Sequence, residues 1–126
     1  MATNAAQIAE VITKLANCPV VIFDRDHVVA VAGAQKKEFN ERRVSQGLED
    51  LLEHRKNYLY QNVSEQKISP VEGVDRTAIA CSPILSSGDV TGAVAFLSTG
   101  NDVTATDVQS NLIQAASQFL GKQVEE

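Results

Sequence analysis

Cys81-Ser82-Pro83-Ile84-Leu85-Ser86-Ser87-Gly88-Asp89-Val90-Thr91-Gly92-Ala93-Val94-Ala95-Phe96-Leu97-Ser98 is the stretch whose reading decides the fold. It reads as two strands joined by a polar turn. Ile79, Ala80, Cys81, Ile84 and Leu85 supply apolar surface before the turn, and Gly92–Leu97 is an uncharged apolar run after it. Ser86-Ser87-Gly88-Asp89 holds the residue types that permit a tight reversal. Consecutive strand side chains point to opposite faces, so a run that is apolar at every position must be covered on both sides. The second strand is therefore central, and other parts of the chain must cover it.

The covering elements are legible on either side. Ala5, Ile8, Ile12 and Leu15 recur at helical spacing and predict a helix over 3–17, capped by Thr3 or Asn4 and ended by Asn17 and Pro19. Val20–Phe23 and Val28–Ala32 are β-branched runs around the polar Asp24-Arg25-Asp26-His27, which predicts a hairpin. Residues 34–43 read as a short exposed helix or loop anchored by Phe39. A second helix is expected over about 46–55, with Leu48, Leu51 and Leu52 inside. A strand is expected over 57–63, a mobile polar connection over 64–76, and a loop over 99–103.

The longest helix, 104–124, has a capping-box spacing in Thr104/Asp107 or Thr106/Gln109. It carries two apolar stripes: Val108, Leu112, Ala115 and Phe119, and Ile113, Ala116 and Leu120. One stripe suffices for a sheet, which leaves the other for a further helix. The order helix, hairpin, helix, strand, hairpin, helix is α+β. It predicts a central antiparallel sheet with the N- and C-terminal helices on one face and the middle helix and loops on the other.

Composition narrows the function. At 126 residues and 44% hydrophobic, the chain is one globular domain. No apolar run is long enough to span a bilayer and residues 1–6 lack the pattern of a secretion signal, so a cytoplasmic protein with no membrane partner is expected. A net charge of −5 argues against the domain itself gripping nucleic acid. Two cysteines, Cys18 and Cys81, are too few for a disulfide framework and read as buried packing residues.

The element order resembles the GAF/PAS group of sensor domains. Phe23-Asp24-Arg25-Asp26, Val29-Ala30-Val31-Ala32-Gly33 and Lys36-Lys37 look like the first hairpin of the C-terminal GAF domain of the stage V sporulation protein T family. Ser82-Pro83-Ile84 with Gly88-Asp89, Gly92-Ala93-Val94 and Phe96-Leu97-Ser98 look like its central hairpin. Ala115-Ala116, Phe119-Leu120 and Gln123 look like its final helix. Such proteins begin with a DNA-binding domain that has no counterpart before the first helix here. Direct DNA binding is therefore not implied, and the chain is expected to be an excised regulatory half or a stand-alone sensor.

The resemblance implies a regulatory module of a sporulation transcriptional regulator. Its terminal helices would assemble protomers through a helical bundle, a pocket would lie on the opposite sheet face, and Gly92 and Ala93 of the shared strand would leave little side chain to obstruct a ligand or a close-packed helix. The resemblance supplies no ligand, so the cofactor is unknown. The competing reading is a structural oligomerisation module whose pocket its own side chains fill. The pocket's polar candidates are Lys36, Lys37, Ser45, Arg76, Thr77 and Cys81. Arg76 can fork onto a carboxylate or phosphate, although pairing with Asp75 or Glu72 is the plainer reading. Lys36, Lys37, Arg42 and Arg43 form a basic cluster that also reads as a solvated face, since Glu38 and Glu41 interleave it.

The expected homo-oligomer interface is Ile8, Ile12, Leu15, Leu112, Ile113, Ala116 and Leu120, and replacing Leu112 or Ile113 with Glu is expected to yield monomer. Asp24-Asp26-His27 lies in one tight turn and reads as turn chemistry, so no metal site is expected. The cysteines and histidines show no catalytic spacing, so no enzyme is expected.

Overall fold

The computed structural model describes residues 2–100 and 103–125. Helix α1 (Ala2–Ala16) leads into strands β1 (Val20–Asp24) and β2 (Val28–Ala32), then the one-turn helix α2 (Lys36–Phe39) and helix α3 (Gln46–Glu53). The short strand β3 (Tyr58–Leu59), strands β4 (Ala78–Ser86) and β5 (Asp89–Leu97) and helix α4 (Asp107–Glu125) follow. The five strands form one sheet in the order β2-β1-β5-β4-β3, and all neighbours are antiparallel. The expected loop over 99–103 lies partly outside the described residues.

The apolar run sits on the central strand, as its pattern requires. Val94 and Phe96 pack with Ala5, Ala9, Ile12 and Ala16 of α1 and Ile113, Ala116 and Leu120 of α4. Ala93, Ala95 and Leu97 point the other way, into Phe39, Val44, Leu48, Leu52, Val71 and Val74. Two separate cores thus share one strand. The turn between β4 and β5 is the tightest type: Ser87 and Gly88 have φ of 51° and 85°, both positive, as a type I′ reversal demands.

Local signals set several element ends. Asn17 takes φ 57° and donates its N–H to the Thr13 carbonyl at 3.0 Å, a left-handed helix stop. At the other end α1 begins at Ala2, so Thr3 and Asn4 belong to its first turn instead of preceding it. Of the two capping boxes offered for α4, Thr106/Gln109 forms. The Gln109 N–H donates to Thr106 Oγ1 at 3.0 Å, and the Thr106 N–H donates to Gln109 Oε1 at 2.9 Å. The same buried Gln109 donates from Nε2 to the Ala16 carbonyl at 2.9 Å. One side chain therefore closes the start of α4 and the end of α1 together.

Three findings depart from the sequence reading. The 57–63 strand shrinks to Tyr58–Leu59, because Tyr60 turns inward and its hydroxyl donates to the Val63 carbonyl. The 64–76 connection is pinned instead of loose. Pro70 O accepts from Ser45 N at 2.9 Å, Arg43 O from Glu72 N at 2.9 Å and Ile68 O from Ala78 N at 2.7 Å, while Val71 and Val74 enter the core. Finally, Gly92 is small for its neighbouring strand, not for a ligand or helix: a Cβ there would overlap the Phe23 carbonyl oxygen of β1.

Candidate functional site

The sheet face opposite the terminal helices is filled. Phe39 and Leu48 are completely buried there, and Leu52, Val71 and Val74 complete a continuous apolar layer on Ala93, Ala95 and Leu97. Four recesses lie at the surface, and of this layer only Val71 and Val74 reach one of them. The six residues expected to converge on one pocket are instead divided among three of these recesses, the core and, for Lys37, the open surface.

Arg76 and Thr77 stay together. They line a polar groove of about 450 Å3 with Lys67, Asp75, Ser98, Thr99 and Gly100. Its floor is the end of the β4–β5 ladder, where the Ser98 N–H donates to the Thr77 carbonyl at 2.8 Å. Among the described residues Arg76 makes no ion pair, and neither Asp75 nor Glu72 takes the role expected of it. Ser45 lines the adjoining recess with Ser69, Glu72 and Asp75, but its hydroxyl caps α3, accepting from the Leu48 N–H at 3.1 Å. Lys36 borders a different recess beside β2, with Glu10 and Asn40, and Lys37 is exposed on α2 outside all four. Cys81 is buried among the apolar residues over the sheet and borders none of them.

Burial determines the chemistry of the thiols. It pushes both Cys18 and Cys81 up to about 12 from the ordinary 9.0, so both are neutral at physiological pH and poor nucleophiles. Unfolded thiols ionise from about pH 9 while the folded ones stay neutral, so this contribution to stability is intact below pH 9 and is lost as pH rises toward 12. An aromatic disulfide reagent should leave both thiols unmodified at pH 8 until denaturant is added. Denaturation midpoints should fall between pH 9 and 12, and less so in a Cys18→Ala/Cys81→Ala double variant.

The Asp24 turn behaves as turn chemistry. Asp24 Oδ1 accepts from the N–H of Asp26 at 2.8 Å and of His27 at 2.7 Å. Arg25 of the same turn pairs with Glu49 of α3 at 2.8 Å, tying the first hairpin to the middle helix.

The residues expected at an oligomer interface also divide. Ile12, Ile113, Ala116 and Leu120 are committed to the core between helices and sheet. Ile113, Ala116 and Leu120 face inward because α4 turns this stripe onto β4 and β5, and Ile12 because α1 packs on the same sheet face. Ile8 and Leu112 are half-buried and Leu15 is exposed. The apolar surface left outward comprises Val11, Leu15, Val108, Phe119 and Val124, which the interface set mostly omitted. Periodicity identified both α4 stripes but carried no signal for which one meets the sheet.

A sequence model of the family described as stage V sporulation protein T C-terminal, transcription factor, matches residues 1–125. The chain belongs to this family. Stage V sporulation protein T of Bacillus subtilis (strain 168) is 31% identical over 109 residues, covering 85% of this chain and 59% of that protein. The chain thus spans little more than half the length of that curated relative.

Solved structures share the GAF fold at low identity. The cofactor-binding GAF domain of the nutrient sensor CodY from Clostridium difficile superposes with a TM-score of 0.62 at 13% identity, over 94% of this chain and 83% of that one. Type II free methionine-R-sulfoxide reductase from Thermoplasma acidophilum gives 0.68 at 9% identity, over 97% and 90%. At such identities the likeness establishes fold alone. The family is one of transcription-regulator domains. Among the described residues no helix is long and apolar enough to cross a membrane.

Proposed function

We propose that this domain is the small-molecule-sensing and assembly half of a sporulation transcriptional regulator. The observation that carries the sensing is Arg76, a half-buried guanidinium with no ion-pair partner among the described residues, in a polar groove beside Thr77. The groove wall at Ser98–Gly100 belongs to the segment that leads into α4. A ligand held by Arg76 would therefore touch the start of the segment that leads into α4, and it alters helix packing only to the extent that it binds one arrangement better. Assembly uses a second copy of the chain through the outward stripe of α1 and α4. Nucleic acid is contacted by another part of the regulator, in keeping with the acidic charge of this domain.

A thermal-shift screen of nucleotides, amino acids and acyl metabolites tests the reading. A specific binder at 100 times its Kd stabilises by about 2.7 kcal/mol, which raises the melting temperature by several degrees. Arg76→Ala should erase that rise while leaving the unliganded melt near wild type. A binder whose effect survives Arg76→Ala removes the groove from the proposal. A binder that leaves the assembly constant unchanged removes the coupling.

The filled opposite face favours one competing reading, a structural module in which Phe39, Leu48 and Leu52 occupy the place of a ligand. That reading expects assembly without any hit in the screen.

A further inference from the structure

We propose that the recess between β4 and α4 binds a small oxyanion, a carboxylate or a phosphate group. It occupies about 190 Å3 and is lined by Arg55, Asn57, Ser82, Gln114, Ser117 and Gln118, with Pro83 and Leu85 as an apolar wall. It shares no lining residue with the Arg76 groove and does not depend on that groove being a site.

The recess exists because β3 is only two residues long. It pairs with Ala80 and Cys81, so the edge of β4 from Ser82 onward has no strand beside it. The chain between α3 and β3 and the outer turns of α4 close around that edge. Helix α4 comes unusually near: at Gly121 an added Cβ would overlap the Leu85 carbonyl oxygen.

The lining is built to donate. Arg55 holds φ 51°, and its Nε donates to the Gly88 carbonyl at 3.0 Å. That bond anchors the guanidinium and leaves its two terminal nitrogens, each with two N–H groups. Among the described residues no carboxylate pairs with Arg55, and no acidic residue lines the recess.

Behind the recess lies a polar seam. Ser82 Oγ is 3.0 Å from both Asn57 Oδ1 and Ser117 Oγ, with both serines 95% buried or more. Ser82 has one proton for these two contacts, and Ser117 Oγ also lies 3.0 Å from the Gln114 carbonyl oxygen; with the Ser82 proton directed at Asn57 Oδ1, the Asn57 NH2 group is left as a donor for the recess. Gln114 and Gln118, one turn apart on α4, add two more amides on the facing wall.

A lone positive charge surrounded by amide donors, with no carboxylate to hold an ammonium group, suits an oxyanion over a cation or a zwitterion. The volume lies below the roughly 300–1,000 Å3 of sites for drug-sized ligands, which restricts the occupant to a small molecule or a protruding group. Such an occupant would bridge the α3–β3 link, β4 and α4, and so fasten the terminal helix to the sheet.

Titration of the isotopically labelled full chain, followed by amide NMR, tests the site with inorganic phosphate in one arm and malonate in the other. Saturable shifts confined to residues 55–57, 82–85 and 114–118 are expected. Response to phosphate alone identifies a phosphate group, response to malonate alone a carboxylate, and response to both an oxyanion of either kind. Arg55→Gln should weaken binding about tenfold or more, whereas Lys14→Gln on the exposed side of α1 should not change it. The proposal is overturned if neither probe moves these amides, or if Arg55→Gln and Lys14→Gln bind alike. Well-dispersed spectra of both variants verify that the fold is kept.

Discussion

Ile113→Glu is expected to unfold the domain, and Phe119→Glu to leave it folded but unable to assemble. The two residues lie on the same helix, less than two turns apart, and sequence periodicity treats them as equivalent apolar positions. Their surroundings are opposite. Ile113 is 2% exposed, packed in the layer that joins α4 to Phe96 and Ile84. A carboxylate there has no cation to meet and loses its hydration. Such substitutions cost about 4–5 kcal/mol or more, which unfolds a domain at the lower end of the usual stability range of about 5–15 kcal/mol.

Phe119 is 48% exposed and Val108 61%, so a charge at either is solvated in the free protomer and costs the fold little. In the assembly proposed above it would be buried against a second copy. Circular dichroism melts and light scattering on the same samples separate the outcomes. A folded monomer from Ile113→Glu would show that α4 turns its inner stripe to a partner. A Phe119→Glu protein with the mass of wild type would remove the outer stripe from the interface.

Gly92→Ala is expected to lower the melting temperature by roughly 10 °C, from a loss of about 3 kcal/mol at the upper end of overpacking costs. Intrinsic strand preference predicts the opposite sign, because glycine weakens a strand interior. The geometry decides for destabilisation. Gly92 pairs with Asp24 on one side and Ile84 on the other, and the added methyl would overlap the backbone oxygen of Phe23. A backbone carbonyl within a ladder cannot rotate aside as a side chain can, so β1 and β5 must separate at that point. The loss should appear in urea denaturation as a lower midpoint with an unchanged slope. A midpoint equal to or above wild type would mean that the two strands part more easily than their pairing suggests.

The fold was legible where a residue pattern admits one solution. An uncharged run from Gly92 to Leu97 can only be a strand covered twice, and Ser87-Gly88 can only turn tightly because both take positive φ. The cap at Thr106 and the stop at Asn17 are local as well, resting on hydrogen bonds within four residues. The 64–76 segment misled because its polar composition is that of a free loop, whereas Val71 and Val74 alone suffice to anchor it.

The candidate sites were less legible. Ser45 carried a strong signal, but for capping. Arg76 and Thr77 are neighbours in sequence and remained neighbours in space. Arg55, Asn57, Ser82, Gln114 and Ser117 come from three distant segments with no common spacing, so nothing along the chain could group them.

By itself the sequence determined the element types, the antiparallel hairpins, the centrality of the 92–97 strand and membership of the stage V sporulation protein T C-terminal family. Those depend on short-range periodicity, turn chemistry and colinear resemblance, all of which are properties of a one-dimensional string. Only the tertiary structure decided that Ile113, Ala116 and Leu120 face inward, that Phe39 and Leu48 fill the face opposite the helices, and that Arg55 and Ser82 line one recess beside α4. Each of those depends on the rotation of a helix about its axis or on the exact reach of a strand edge. Both are set by packing against elements far away in the chain.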